Sequence, residues 1–147
     1  MLAPLSDLYQ EIVRDHGKAP RNHRRIDGAA EARGDNPMCG DRVDVFVAAD
    51  PAGTLADVSF QAKGCAICLA SGSFMTETVR GLDAAGARAL SAGFRRWVTS
   101  GERPAAMPDG LAPLAAVHDY PSRIGCATLP WVTLDAALDG KGRASSE

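Results

Sequence analysis

Aromatic side chains are scarce in this sequence: Phe, Trp and Tyr make up 5% of its 147 residues. Leu, Val, Ile and Ala must do most of the packing, within a hydrophobic content of 46% that suffices for one domain's core. No stripe of basic residues interleaved with aromatics occurs, so a nucleic-acid partner is not indicated. The formal net charge is only −2, with both signs interspersed. No run approaches the ~18 consecutive apolar residues of a membrane span. The opening MLAPLSDLYQ has no basic region ahead of a long apolar stretch, so neither secretion nor membrane association is expected. There is no internal repeat and no sign of a second domain. The expectation is one cytoplasmic domain spanning residues 1–147.

What is present begins with four cysteines, Cys39, Cys65, Cys68 and Cys126. In a reducing compartment structural disulfides are not expected, which leaves metal binding, thiol chemistry or burial as small hydrophobes. Their setting follows from a pass along the chain. SDLYQEIVRDHG has apolar residues at helical spacing (Leu5, Leu8, Tyr9, Ile12, Val13), with Ser6 placed to cap it and Gly17 to stop it. Residues 18–37 read as a long connection in which GAAEARGDNP could hold a short edge strand. DRVDVFVAAD alternates with strand period, DPAGT is a hairpin turn, and LADVSFQAKG is the return strand. CAICLASGSFMTETVRG and LDAAGARALSAGFRRWVTSG read as helices, LAPLAAV as a short one. The final helix is expected to begin near Ala127, so that Pro130 falls in its first turn, and residues 141–147 read as a frayed tail. Helices segregated from strands give an α+β fold, a small three-stranded antiparallel sheet with helices on one face.

In that map Cys39 and Asp41 flank Gly40 at the mouth of a strand, and Cys65 stands where the return strand gives way to a helix. A hairpin brings the start of one strand beside the end of its partner, so these residues should be neighbours. Cys126, next to Gly125 and close to the start of the last helix, can reach the same end. Three thiolates and a carboxylate make a full tetrahedral set for zinc; thiolates also ligate iron–sulfur clusters. A carboxylate among thiolates suggests a site built for exchange. Spacing alone leaves a metal site, a redox site and plain packing open.

Four stretches, LYQEIVRDHGKAPRN (8–22), NPMCGDRV (36–43), KGCAICLASGS (63–73) and RIGCATLPW (123–131), resemble, in order, the U-type iron–sulfur cluster assembly proteins: the IscU/SufU/NifU N-terminal family. The resemblance implies that Cys39, Asp41, Cys65 and Cys126 form the metal or cluster site. IscU-type members carry a histidine where this chain has Gly125, and an L-P-P-V-K motif where it has DYPSR (119–123). Residues 99–117 look like the insertion of SufU-type members, although those usually carry lysine at the position of Gly125. The resemblance is therefore to SufU. It implies Zn2+ on those four residues and a pyridoxal-phosphate cysteine desulfurase (SufS-type) as partner. A partner histidine would replace Cys39 on the ion, and the freed Cys39 thiolate would take the persulfide sulfur for downstream iron–sulfur assembly proteins.

Arg123 either steadies a thiolate or persulfide by charge or is a solvated arginine. The face around Cys39, Cys65 and Arg123 is the expected docking surface. Two alternatives use overlapping residues. A scaffold that assembles and transfers a [2Fe–2S] cluster, or holds iron, would use Cys39, Cys65 and Cys126; the lack of a histidine at Gly125 counts against it. A thiol redox module would use Cys65 and Cys68, but no thioredoxin-type unit surrounds them, and Cys68 reads chiefly as a packing residue. His16 is expected to structure its turn. His118 is a remote candidate for a substitute ligand. Trp97 and Trp131 are expected in the core or at a partner contact.

Overall fold

The computed structural model describes residues 3–38 and 40–145. In chain order it has helix α1 (Ala3–Lys18), strands β1 (Ala30–Asn36), β2 (Asp41–Ala49) and β3 (Leu55–Lys63), then helices α2 (Ala66–Val79) and α3 (Ala84–Ser100). Two 3-10 turns, Asp109–Leu111 and Ala116–Asp119, bracket the short helix α4 (Ala112–Ala115). Helix α5 (Pro121–Leu138) and strand β4 (Arg143–Ser145) complete the described chain.

The expected three strands form an antiparallel meander, β3-β2-β1, and β4 adds a fourth strand parallel to β1. The sheet is therefore mixed, and β1 is an inner strand rather than an edge. The cause lies after α5. Gly140 takes φ 72°, and the amides of Gly140 and Lys141 return to the carbonyls of Ala137 and Ala136. This Schellman-type stop turns the chain back along β1, where the Arg33 amide reaches Gly142 O at 2.9 Å. Residues 143–145 of the expected tail are thus paired. The other edge is covered too: Asn22 and Arg24 exchange backbone hydrogen bonds with Phe60 of β3, and Arg24 clamps Asp57 through both guanidinium nitrogens. Covered edges do not recruit other strands.

Period-two alternation sends Val43, Val45, Val47, Val58 and Phe60 into the core, all nearly inaccessible to solvent. Helices α2 and α5 cover that face. Their approach is close because the facing residues are small. A Cβ at Gly72 would lie 2.4 Å from the Phe60 ring, and one at Gly34 1.9 Å from Thr133 Oγ1. Trp131, fully buried, stacks on Phe94, and Trp97 lies beneath the Arg103 guanidinium. On the opposite face Phe46 is also fully buried, covered by Arg25.

Two helix starts differ from expectation. Helix α1 runs from Ala3, so Ser6 lies inside it rather than at its cap; the side chains of Leu5, Leu8 and Tyr9 lie outside the described part. Helix α5 begins at Pro121, in the first turn where the lost N–H costs nothing. Pro130 is therefore interior, and the Cys126 carbonyl lacks its usual i+4 donor.

Helix α1 is tied to α2 through His16, which is buried, stacked on Phe74 at 3.9 Å, and hydrogen-bonded at Nδ1 to Ser73 Oγ at 2.7 Å. Ser73 Oγ already accepts from the Arg21 amide, so its own hydrogen is available to His16. Burial, together with the nearby Arg21, holds the His16 pKa below the ordinary histidine value. The unfolded chain then binds the proton more readily. Stability is complete above the unfolded-state pKa and declines as pH falls through it toward the folded one. Urea denaturation at pH 7.5 and pH 5.5 should show this loss, with a slope of at most about 1.4 kcal/mol per pH unit for one proton. His16→Gln should flatten it. An unchanged pH dependence in that variant would remove His16 as the cause.

Candidate metal centre

The site lies at one end of the sheet, where register brings distant residues together. β2 and β3 pair Arg42 with Lys63, so Asp41, one residue before Arg42, stands beside Gly64, one residue after Lys63. Cys65 follows as the residue capping α2, with extended backbone (φ −74°, ψ 169°). Helix α5, packed across α2 and the sheet, delivers Cys126. The ligand atoms of Asp41, Cys65 and Cys126 all lie within 4.8 Å of one another.

Of the sequence-predicted set the structure therefore brings together Asp41, Cys65 and Cys126, while Cys39 lies outside the described residues. In sequence it falls between β1 and β2; of the described residues there, Gly40 donates its amide to Asn36 O at 2.8 Å and takes φ 78°, a conformation that favours glycine. Asp41 and Cys126 are buried and Cys65 is half-buried, so the cluster opens toward solvent on the Cys65 side. Asp41 Oδ1 accepts the Cys65 backbone N–H at 3.2 Å, and Oδ2 lies 3.8 Å from Cys65 Sγ. No side-chain cap satisfies the start of α2. The partial positive charge of that terminus therefore falls beside Cys65. Cys126, expected at a helix start, lies in the second turn of α5, beyond the reach of that effect.

Other candidates take different places. Cys68 is fully buried in the hydrophobic core and stands outside the cluster. A strand–C-x-x-C–helix connection does exist locally, since β3 leads through Cys65 into α2. The strand is antiparallel to its neighbour, however, unlike the parallel unit of thioredoxin-type motifs. His118 Nδ1 bonds Val98 O at 2.8 Å, at the end of α3, and joins no ligand cluster. Arg123 is exposed, one turn before Cys126 on α5, and lines a groove with Ala66 and Ile67.

Two residues that sequence reasoning passed over shape the site. A Cβ at Gly64 would lie 2.6 Å from Asp41 Oδ1 and 2.8 Å from its Cγ: the Asp41 carboxylate occupies the space of the missing side chain. The strand-ending glycine was visible; the close approach that requires it was not. Ser71 links the two helices that carry the thiols. It accepts from Trp131 Nε1 at 3.0 Å and donates to Ala127 O, next to Cys126. Its small size was legible, its bonding was not.

The donor set fits zinc. Bonds of about 2.3 Å to sulfur at tetrahedral angles place neighbouring donors roughly 3.8 Å apart, so the cluster needs only a small contraction. Two thiols and a carboxylate leave room for one further ligand.

An α+β domain with a mixed thiol–carboxylate cluster at the open end of a hairpin is the architecture of the U-type iron–sulfur assembly class. The sequence profile of the NifU-like N terminal domain matches residues 8–127. The chain is 38% identical over 144 residues to the iron-sulfur cluster assembly scaffold protein IscU of Streptococcus pyogenes serotype M1, covering 97% of this chain and 90% of that one. It is 34% identical over 137 residues to the zinc-dependent sulfurtransferase SufU of Bacillus subtilis (strain 168), covering 92% of each. A solved structure titled as a putative iron-sulfur cluster assembly scaffold protein for the SUF system, from Fervidobacterium islandicum AW-1, superposes with a TM-score of 0.81 at 30% identity, over 87% of this chain and 94% of that one. The chain belongs to the NifU-like N-terminal domain family, and its homologues are IscU- and SufU-type iron–sulfur cluster assembly proteins.

The Gly64 contact yields a direct test. Gly64→Ala should weaken zinc binding by about 10–100-fold, the range for residues that orient ligands, and about as far as Asp41→Ala does. Combined, the two should cost little more than Asp41→Ala alone, because the clash disappears with the carboxylate. Additive losses in competition titrations would show that Gly64 acts by some other route.

Proposed function

We propose that this protein takes persulfide sulfur from a SufS-type cysteine desulfurase and passes it to downstream iron–sulfur assembly proteins, as a zinc-dependent sulfurtransferase. The observation that carries the reading is the mixed donor set, Asp41 with Cys65 and Cys126, open on the Cys65 side, with Cys39 two residues before Asp41 in the sequence. The similarity to SufU of B. subtilis supports it. Cys39, Asp41, Cys65 and Cys126 would hold the ion, which when bound keeps the thiols deprotonated at neutral pH.

The transfer step balances without an added oxidant. The Cys39 thiolate attacks the outer sulfur of the donor's persulfide. A new S–S bond forms on Cys39 as the donor's S–S bond breaks, and the donor cysteine leaves as a thiolate. Asp41 tunes how firmly the ion is held, and the exposed Arg123 sets positive charge near the incoming persulfide. The segment 99–117 is read as the SufU-type insertion; it packs through Met107 against Gly93 and sets Leu114 and Val117 beside the groove. Thiolate chemistry of this kind belongs to a reducing compartment such as the cytoplasm; among the described residues no helix is long and apolar enough to cross a membrane.

The second reading is a scaffold for a [2Fe–2S] cluster on the same residues, favoured by the similarity to IscU of S. pyogenes. Reconstitution with iron and sulfide separates the two, since a stable visible chromophore that stays with the protein through gel filtration favours the scaffold.

Protein purified without added metal should carry about one zinc per chain, as a single four-ligand site requires, and Cys65→Ser should lose most of it. Cys39→Ser should keep the fold and abolish both the persulfide on this protein and its stimulation of desulfurase turnover. Full stimulation by Cys39→Ser would take the acceptor role away from that residue.

A further inference from the structure

A groove of about 360 Å³ runs from the site along α1, α4 and the start of α5. Its floor is apolar, with Ile67, Leu114, Val117 and Tyr120, and Arg14 and Arg123 stand on its rim. Ala66, which follows Cys65 directly, is part of its lining, so the groove adjoins the thiol cluster. The groove thus opens on the exposed side of the thiol cluster.

Two independent observations mark this face. The first is charge. Most arginines elsewhere face carboxylates: Arg21, Arg24, Arg33, Arg88, Arg95 and Arg103 each lie within 2.9 Å of one. Among the described residues Arg14, Arg42, Arg96 and Arg123 form no ion pair with a carboxylate; two of the four, Arg14 and Arg123, stand together on the rim of this groove. Arg42 faces Lys63 across the β2–β3 ladder and Asp35 across the β1–β2 ladder, so its charge is balanced in part and the unpaired cations of the groove are Arg14 and Arg123. The second is exposed apolar surface. The exposed large hydrophobic side chains of the described chain are Met38, at 84%, and Tyr120, at 59%. Met38 stands on the turn that leads to Asp41, and Tyr120 on the groove wall. Unneutralised cations around exposed apolar anchors are the makings of a transient protein interface.

We propose that the groove seats an acidic segment of the sulfur-donor protein, an apolar side chain entering between Ile67, Leu114 and Tyr120 while flanking carboxylates pair with Arg14 and Arg123. This rests on the sulfur-acceptor reading above and names the chemistry of the partner it requires. Docking there lays the donor across the open side of the cluster. The charge pattern steers the encounter and makes it sensitive to salt.

The experiment uses zinc-loaded protein and two sulfur donors, a SufS-type desulfurase and glutathione persulfide. The double variant Arg14→Glu/Tyr120→Ser should raise the concentration that half-saturates desulfurase stimulation by about tenfold or more. Stimulation at saturation, zinc content and reaction with glutathione persulfide should stay as in wild type. Arg96→Glu, an exposed arginine of α3 away from the groove, should change none of them. Half-saturation unchanged in the double variant, or raised as far by Arg96→Glu, overturns the docking surface while leaving the acceptor reading intact. Wild-type protein that takes sulfur from neither donor overturns that reading, and with it the partner named here. A dimer of this protein alone that the double variant dissolves in sedimentation runs would assign the groove to a second copy, also against the proposal.

Discussion

The pairing of Arg42 with Lys63 governs the rest of the site. It puts Asp41 beside Gly64 and Cys65, and a slip of one residue would turn Val43, Val45 and Val47 out of the core while swinging Asp41 away from the thiols. The core therefore enforces the geometry of the chemistry. The irregularity in this ladder falls between Ala48 and Ala49, at the hairpin end far from the site, so the turn is accommodated without disturbing the register that matters. Opposite, α5 holds Cys126 in place through Trp131, Ser71 and a deep contact with β1 at Gly34. Rigid elements on both sides carry the ligands, which is how a site keeps its shape while remaining open to exchange.

That openness has a physical source. Asp41 offers a hard oxygen donor among soft sulfur ones, and its carboxylate is positioned by one backbone N–H and by the space that Gly64 leaves. Cys126 is sealed in the core, whereas Cys65 stands at the rim. An incoming group therefore meets the cluster from the side of Cys65. The adjoining groove carries Arg14 and Arg123, which form no ion pair among the described residues, and the exposed Tyr120.

Much of this was legible in the sequence because it depends on pattern. Alternation in residues 41–49 and 55–63 gives the hairpin, and the hairpin alone implies that Asp41 and Cys65 are neighbours. The convergence of Cys126 on them rested on the resemblance to U-type proteins. What escaped depends on contacts between distant residues. The parallel pairing of β4 needs β1 as a template and carries no periodicity of its own in three residues. The start of α5 was misplaced because Pro130 seemed to demand a nearby N-terminus; Pro121 was the true start signal, and a buried helix tolerates the interior proline because packing outweighs one lost hydrogen bond. His16 shows as a histidine near a turn in sequence, but its bond to Ser73 spans 57 residues of chain. Gly64 and Ser71 look like ordinary small residues until the third dimension shows what fills the space beside them.

The central claim is that one carboxylate and the cysteine thiolates share a single zinc ion. X-ray absorption at the zinc edge of the purified protein tests it most directly. The account predicts a first shell of three sulfur atoms at about 2.3 Å and one oxygen at about 2.0–2.2 Å, with the oxygen contribution altered in Asp41→Ala and one sulfur lost in Cys65→Ser. A shell made only of oxygen and nitrogen, or one of four sulfurs unaffected by Asp41→Ala, would contradict it.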